Sequence, residues 1–396
     1  MQFSKVIIKK GREEAILRRH PWVFSGAIHK IIGSPEDGDI VKIYSREDQY
    51  LGTGHYHQGS ITVRIFDFTN QDIDDQFWYQ KVWGAWKLRL DLGIAHATQT
   101  NCFRWIHGEG DDLPGLIVDY YDGVVVFQAH SIGMHKNRMQ IAQAIQNILG
   151  EKCKGVYDKS AGSLPPNYAK TMQETWLLGM NQNSAAQVME NHLLFEVNWE
   201  TGQKTGFFLD QRTNRNLMFQ YAKGKKVLNA FCYSGGFSVY ALAAGAEKVV
   251  SIDVSAKAMD LTDRNVALNF PETTRHLSVT SDVLKFLPQD SESFDLIILD
   301  PPAFAKSMDK RHQAVQAYKR LNIEGLKKLN AGGILFTFSC SQVVDKNLFY
   351  HTITAAAIEA GRKVRVLEHL SQPGDHPVNM FHPEGSYLKG LLLYVE

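Results

Sequence analysis

Residues 226–253 read KVLNAFCYSGGFSVYALAAGAEKVVSID: a strand, a tight glycine loop, a helix and a second strand. Val227-Leu228-Asn229-Ala230-Phe231 is a short apolar run. Cys232-Tyr233-Ser234-Gly235-Gly236 then lets the backbone turn sharply and approach a ligand. Phe237–Ala246 is small and apolar enough to pack a helix on a sheet, and Val249–Ile252 ends on an acid, Asp253. A glycine-rich first turn with an acid at the tip of the second strand predicts a nucleoside-binding doubly wound fold, the carboxylate accepting hydrogen bonds from ribose hydroxyls. Each such charge-assisted bond contributes about 1.5–3 kcal/mol. Two adjacent glycines with no third at helix spacing make a poor pyrophosphate cradle, which argues against a dinucleotide.

Strand and helix alternate downstream: helix 255–269, strand 277–281, short helix 283–287, strand 294–299, helix 311–329, strand 333–339, helix 347–360 and strands 363–370 and 387–395. This repetition predicts a mostly parallel sheet with helices on both faces, its last two strands an antiparallel pair at one edge. Ligands bind such sheets at the carboxyl ends of the strands. Those ends carry the Gly235-Gly236 loop, Asp253, Asp282, Asp300-Pro301-Pro302-Ala303-Phe304 and Ser339-Cys340-Ser341. One acid at a strand end is commonplace, because Asp caps helices; three acids, a glycine loop, a Pro-Pro turn and a cysteine on one edge predict a site. Asp253 suits a ribose and Asp282 an exocyclic amine. With no Walker lysine or phosphate cradle, the expected ligand is a single nucleoside without phosphates, which S-adenosyl-L-methionine satisfies.

Upstream, residues 1–72 read as a small β-rich module, with period-2 patches at 40–44, 50–56 and 61–66. Its first 30 residues hold seven Lys/Arg against Glu13 and Glu14, with Trp22 and Phe24 inside the run. Basic residues interleaved with aromatics suit RNA phosphates and unstacked bases; a solvated helix face followed by core aromatics explains the same pattern. Residues 73–190 read as an α+β connector. It has a Trp-rich packing helix at 74–92, a hairpin after the loop 104–115, an amphipathic helix at 134–149 and a polar loop and linker at 161–184. Asp111 and Asp112 have no matching ligand cluster and read as a solvated turn.

The 396 residues predict two to three domains, and a formal charge of +1 confines any nucleic-acid surface to local clusters. One such cluster is 306–328, with seven Lys/Arg against Asp309 and Glu324. Cys102, Cys153, Cys232 and Cys340 form no CxxC pair, which argues against zinc or disulfides and for a reducing compartment. The N-terminal residues lack a signal-peptide core and no run approaches about 20 apolar residues. The expectation is a cytoplasmic protein without a membrane span. An edge strand or the Trp-rich helix can support a homodimer.

Cys340, at the end of the fifth strand and across from Asp300, reads as a nucleophile. Carbon 5 of cytosine becomes enamine-like once a thiolate adds at carbon 6, assisted by a carboxylate that holds the ring nitrogen and amine. An ordinary thiol is only a few per cent thiolate at neutral pH, so the site is expected to lower its pKa. Phe304 is placed to stack on the base. The other reading of DPPAF is methylation of a guanine nitrogen or exocyclic amine, which needs no cysteine.

HPWVFSG, GEGDDLPGLIVD, GQKTGFFLDQR, VLNAFCYSGGFSVYALAAGA, DPPAF and FSCS together resemble the bacterial large-subunit rRNA cytosine-C5 methyltransferases, over nearly the whole chain. That family joins a PUA domain, an α+β middle domain and a Rossmann-like class I S-adenosylmethionine-dependent domain, here 1–72, 73–190 and 191–396. The resemblance implies Cys340 as nucleophile and Asp300 as the base-contacting carboxylate. It also implies that Asp210 and Gln211 help close a cofactor pocket with Phe231, Ser234, Gly235, Gly236, Asp253, Val254, Asp282 and Val283. Pro301, Pro302, Phe304, Lys306, Arg18, Arg19 and Trp22 are then the substrate contacts, and the partner is large-subunit rRNA or a ribosome assembly intermediate. DPPAF carries no cysteine, so the group that takes the carbon-5 proton is open, with Asp375 and His376 as candidates. Cys232 reads as a small loop residue.

Overall fold

The computed structural model describes residues 3–179, 185–289 and 291–396. The chain divides into two compact units, Met1–Val188 with Val197–Leu209 and Gly374–Gly385, and Met189–Glu196 with Asp210–Pro373 and Ser386–Glu396.

The first unit holds two sheets. Strands β1 (Ser4–Ile8), β2 (Trp22–Phe24), β3 (Ile28–Ile32), β4 (Ile40–Tyr44), β5 (Tyr50–Tyr56) and β6 (Ile61–Asp67) pair in the order β2-β6-β5-β4-β1-β3. β1 and β4 run parallel and the other pairs antiparallel. Their alternating Val and Ile residues, among them Val6, Val41, Ile43, Val63 and Ile65, fill one core, as period-2 patterning requires. The second sheet has the order β11-β10-β9-β8-β7, built from β7 (Cys102–His107), β8 (Leu116–Tyr121), β9 (Val124–Ala129), β10 (Gly155–Asp158) and β11 (Thr175–Gly179).

The helix Asp75–Asp91 packs with this second sheet. Asp74 caps it by accepting from the Phe77 N–H at 2.8 Å, and Phe77, Trp78, Val82 and Trp86 are buried while Trp83 is exposed. The amphipathic segment 134–149 is two helices, Ile132–Lys136 and Arg138–Leu149. The loop and linker expected over 161–184 contains the helix Pro166–Ala169 and β11; residues 180–184 lie outside the described residues.

Asp111 is not a solvated turn residue. It is buried and forms a bidentate ion pair with the fully buried Arg89, whose Nη2 donates to Oδ2 at 2.9 Å. Burial raises the Asp111 pKa against the pull of that guanidinium. Asp112 is the turn residue, in left-handed backbone.

β12 (Ala185–Glu190) and β13 (Leu193–Asn198) pair as a two-stranded sheet. The second unit is organised on a seven-stranded sheet, order β16-β15-β14-β17-β18-β20-β19, from β14 (Lys226–Ala230), β15 (Lys248–Asp253), β16 (His276–Thr280), β17 (Phe294–Leu299), β18 (Leu329–Ser339), β19 (Val364–Leu370) and β20 (Lys389–Val395). β14 to β18 are parallel, and β20 runs antiparallel between β18 and β19, so the expected antiparallel terminal pair is present. Near-continuous apolar runs such as Leu296-Ile297-Ile298-Leu299 suit strands covered on both faces. Among the described residues no helix is long and apolar enough to cross a membrane.

Arg89→Met leaves Asp111 buried without its partner and is expected to cost about 3–5 kcal/mol of first-unit stability, read from urea unfolding followed by tryptophan fluorescence. A loss below about 1 kcal/mol would place this pair with exposed ones.

Candidate active site

Because β14 to β18 are parallel, their carboxyl ends share one edge. After β14, Phe231, Tyr233 and Gly235 all hold positive φ, at 61°, 47° and 73°. Such backbone costs on the order of 1–3 kcal/mol for each non-glycine residue, and three side chains hold it. Asp253 Oδ2 accepts from the Tyr233 N–H at 3.1 Å, the Thr262 hydroxyl donates to the Tyr233 carbonyl at 2.9 Å, and the Asn265 amide donates to the Ser234 carbonyl at 2.9 Å. A Cβ on Gly235 would stand 2.6 Å from Thr262 Cγ2, and one on Gly236 2.9 Å from Arg215 Cδ. Arg215 is itself buried, donating to both carboxylate oxygens of Glu190 at 2.8 and 2.7 Å, while the Tyr240 hydroxyl donates to the same carboxylate at 2.9 Å.

Asp253 Oδ1 also accepts from the Ser255 N–H at 2.9 Å, ahead of the helix Ala256–Asn269. Asp282 is exposed, with Oδ1 accepting from the Leu284 and Lys285 N–H groups at 2.9 and 3.2 Å. Val283 is buried and Val254 is 72% exposed. Cys232 is buried with its sulfur 3.5 Å from Met259 Sδ, and burial pushes its thiol up to about 12, in keeping with a loop residue.

At the β17 tip, Asp300 Oδ2 accepts from Gln211 Nε2 at 2.9 Å, and Gln211 Oε1 accepts from Asn214 at 2.6 Å. The Tyr387 hydroxyl donates to Asp210 Oδ2 at 2.7 Å, whereas Asp210 Oδ1 is buried without a hydrogen-bond partner. Burial and then the charge of Asp210 raise Asp300 to about 7, against the Gln211 hydrogen bond. Cys340 follows β18. Burial first, then the charges of Asp300 and Asp210, push its thiol up to about 11, with the Lys389 cation pulling the other way. The expected lowering is therefore reversed in the free protein, because burial and then the two carboxylate charges oppose ionisation of the sulfur.

Lys389 Nζ donates to the Ser341 and Val344 carbonyls at 2.6 and 2.8 Å, and burial draws its own pKa down to about 8. The Ser341 hydroxyl donates to the Ala305 carbonyl at 2.7 Å, which ties the DPPAF turn to the loop carrying Cys340. Pro301 is buried, and Pro302 and Lys306 are exposed. Phe304 packs on Tyr318, ring centroids 4.6 Å apart, so part of the ring expected to stack on a base belongs to the core. The basic run 306–328 is thinner than its sequence: Arg311, Lys319 and Lys327 pair with Asp345, Glu359 and Glu324.

In the first unit Arg18 and Arg19 are exposed, Arg18 contacting Glu14 and Arg19 lying over the Phe68 ring at 5.0 Å. Trp22 is half-buried, its indole N–H donating to Glu109 at 2.8 Å. Asp375 and His376 are completely buried in that unit. Asp375 accepts from the Arg104 N–H at 3.1 Å and lies 3.0 Å from His376 Nδ1, a structural setting for residues read as candidate bases.

A model of S-adenosylmethionine-dependent methyltransferases matches residues 104–393, and one of PUA-like domains matches residues 6–68. This chain belongs to the S-adenosylmethionine-dependent methyltransferases. The ribosomal RNA large subunit methyltransferase I of Pseudoalteromonas atlantica is 40% identical over 398 residues, 99% of each chain. Its counterpart from Aeromonas hydrophila is 37% identical over 396 residues, 98% of this chain and 99% of the relative. A putative methyltransferase structure from Streptococcus mutans shares the fold at TM-score 0.84 and 24% identity, over 98% of this chain and 99% of that one. Another, complexed with SAH, superposes at TM-score 0.85 with the same identity and coverage. The methyltransferase is thus a Rossmann-like α/β protein with an N-terminal PUA-like domain, and S-adenosyl-L-methionine is its cofactor.

Sequence reading missed three features of this methyltransferase site: the Glu190–Arg215–Tyr240 network behind the glycine loop, the Tyr387 contact to Asp210, and Lys389 beside Cys340. Only Lys389 left a local signal, as the one charge within the apolar strand KGLLLYV.

Gly235→Ala forces a left-handed alanine against Thr262, a conformation that costs roughly 1–2 kcal/mol before any clash. S-adenosyl-L-methionine affinity, measured by calorimetry, is expected to fall about tenfold or more; unchanged binding would separate this loop from the cofactor. Asp300 keeps its proton to higher pH when folded than when unfolded, so the folded state binds more protons between about pH 4 and 7 and loses stability as pH rises through that window. Asp300→Asn removes that loss and is expected to stabilise the cofactor-free protein at pH 8 by roughly 1–3 kcal/mol, read as a higher midpoint in calorimetric scans and a flatter pH profile.

Proposed function

We propose that this methyltransferase forms 5-methylcytosine in large-subunit ribosomal RNA through a covalent bond between Cys340 and carbon 6 of the base. The observation that carries the reading is the pairing at one sheet edge of a thiol, Cys340, with a carboxyl titrating near neutrality, Asp300. The rRNA substrate, free or in an assembly intermediate, is supported by the relatives matched over nearly their whole length, which are large-subunit ribosomal RNA methyltransferases. A cytoplasmic location goes with that substrate.

The residues fit the cofactor. Asp253 suits the ribose hydroxyls, Phe231, Val254 and Val283 the adenine, and Asp282 its exocyclic amine. The unpartnered Asp210 Oδ1 suits the cofactor's ammonium group, with Gln211, Ser234, Gly235 and Gly236 completing the pocket. Bound S-adenosyl-L-methionine supplies an electrophilic methyl group for carbon 5. Cys340 releases its S–H proton to solvent water and its sulfur bonds to carbon 6, moving the ring electrons toward carbon 5. Protonated Asp300 donates to the ring nitrogen and takes up the charge that develops there. Loss of the carbon-5 proton and cleavage of the sulfur–carbon bond restore the ring and the thiolate. A base seated on Asp300 keeps that carboxyl neutral, which removes the first charge opposing Cys340 ionisation, and the Lys389 cation assists.

Residues 1–72 act as the RNA-binding module, with Arg18, Arg19 and Trp22 on phosphate and base, and 73–190 connect it to the catalytic segment 191–396. Pro301, Pro302, Phe304 and Lys306 meet the target nucleotide, which must be single-stranded or extruded at a cost of a few kcal/mol. A second reading, methyl transfer to a guanine nitrogen or exocyclic amine without a covalent adduct, is favoured by the setting of Cys340: burial, and then the Asp300 and Asp210 charges, push its thiol up.

Undermethylated large-subunit rRNA and labelled S-adenosyl-L-methionine separate the two, with products digested to nucleosides and identified by mass spectrometry. Wild type is expected to give 5-methylcytidine and Cys340→Ala none, a loss of at least about 10³-fold. The wild-type rate should rise with pH up to neutrality and level off above about pH 7, where the growing thiolate fraction is offset by loss of the Asp300 proton. Full activity in Cys340→Ala, or a different methylated nucleoside, supports the second reading.

A further inference from the structure

We infer that His20, His382 and Glu384 form a binding site for a zinc-class divalent cation on the first unit. One ligand atom from each residue lies within 4.8 Å of the others, and among the described residues this is the one such group of three. His20 Nε2 is 3.7 Å from one Glu384 carboxylate oxygen, and His382 Nε2 is 3.8 Å from the other.

An independent observation points to a ligand. His382 is only 3% exposed, yet neither of its ring nitrogens has a hydrogen-bond partner. Buried polar groups are nearly always paired, and an unpaired one is destabilising. A cation on Nε2 satisfies one of the two. The ring is already fixed for that role. Its backbone N–H donates to the Asn379 carbonyl at 2.8 Å, the short helix Pro383–Gly385 follows, and the ring packs on Trp22 and His20 with centroids 4.3 and 5.5 Å away.

The Trp22 N–H donates to His20 Nδ1 at 3.2 Å, and the Trp22 carbonyl oxygen lies 3.4 Å from the same nitrogen. A cation on His20 Nε2 displaces the proton there; with that proton moved to Nδ1, the Trp22 carbonyl becomes the acceptor behind the metal-bound ring. Zinc bonds of about 2.0–2.2 Å in a tetrahedron set ligand atoms roughly 3.4 Å apart. The 3.7 and 3.8 Å separations run to opposite oxygens of the Glu384 carboxylate, and the three ligand atoms lie within 4.8 Å of one another, so closing them to a tetrahedral set takes up to about 1.4 Å of side-chain movement. Two imidazoles and one carboxylate match zinc, whereas magnesium and calcium prefer oxygen ligands alone. Three protein ligands leave a position for water, and His20 also lines an open groove with Glu14, Ala15, Arg18 and Phe381.

Bound there, the cation links the segment entering β2 to the segment Asn379–Gly385. It fixes Trp22 from one side, while Glu109 holds its indole N–H from the other. It also places positive charge beside Arg18 and Arg19.

The test uses the full-length chain, stripped of metal by chelator dialysis and titrated calorimetrically with Zn²⁺, with Mg²⁺ alongside. Expected is one Zn²⁺ per chain, a raised unfolding midpoint and no comparable Mg²⁺ binding. His382→Phe, which keeps a ring against Trp22, should abolish binding. Glu384→Gln, at an exposed position where folding is not at stake, should weaken it by at least about tenfold. Co²⁺ in place of Zn²⁺ should give the intense visible bands of a tetrahedral site in wild type and lose them in both variants. Less than stoichiometric Zn²⁺, equal affinity for Mg²⁺, or wild-type binding by both variants overturns the assignment.

Discussion

Everything at the catalytic edge depends on a run of parallel strands ending together. Parallel pairing of β14 through β18 places a backbone loop, three carboxylates and a thiol at one rim, and the sheet spends no side chain on bringing them there. What the side chains do is hold the first turn open. Positive φ at Phe231, Tyr233 and Gly235 is tolerated because Asp253, Thr262 and Asn265 occupy the polar groups that the turn exposes. Asp253 therefore serves twice, bracing the loop and presenting a carboxylate at the strand tip. Its replacement would change both, so a loss of cofactor binding there would not by itself report a lost ribose contact.

The same convergence sets an electrostatic conflict. Asp300 and Cys340 are each disfavoured as anions, first by burial and then by the charge of a neighbouring carboxylate, Asp210 for Asp300 and Asp300 and Asp210 for Cys340. The free protein resolves this by holding Asp300 near neutrality and leaving the thiol protonated. Under the proposed covalent mechanism, this arrangement keeps the thiol unreactive until a base is seated. Lys389 offers the opposing charge, but it already spends two donors on the Ser341 and Val344 carbonyls. Its geometric duty of shaping the loop around Cys340 is inseparable from its electrostatic one.

The elements of the second unit were legible in the sequence because their signals are local: an apolar run, a Gly-Gly turn, an acid, and then a helix of the right length. Strand-tip residues followed from topology alone. What sequence could not carry was the sign of an interaction between distant positions. Asp111, in a run of acids and glycines, looks solvated until Arg89 is known to lie buried against it from a helix 22 residues upstream. Cys340 looks like a thiol to be activated until the carboxylates around it are counted. The amphipathic pattern over 134–149 predicts helix throughout, and it does not reveal the change at Asn137 between two shorter helices.

Cysteine spacing is a sound guide to structural zinc in small modules, and the four cysteines of this chain form no such pair. That inference covers only sites whose ligands are close in sequence. Histidine and carboxylate ligands separated by more than 350 residues leave no spacing to read, and only a folded chain brings His20 to His382. The physical signal is then the one that sequence cannot hold: an imidazole enclosed by protein with neither nitrogen answered. A fold that accepts this cost in its free form has either lost a partner or is waiting for one. A carboxylate facing two histidines makes a cation the partner that answers all three groups at once.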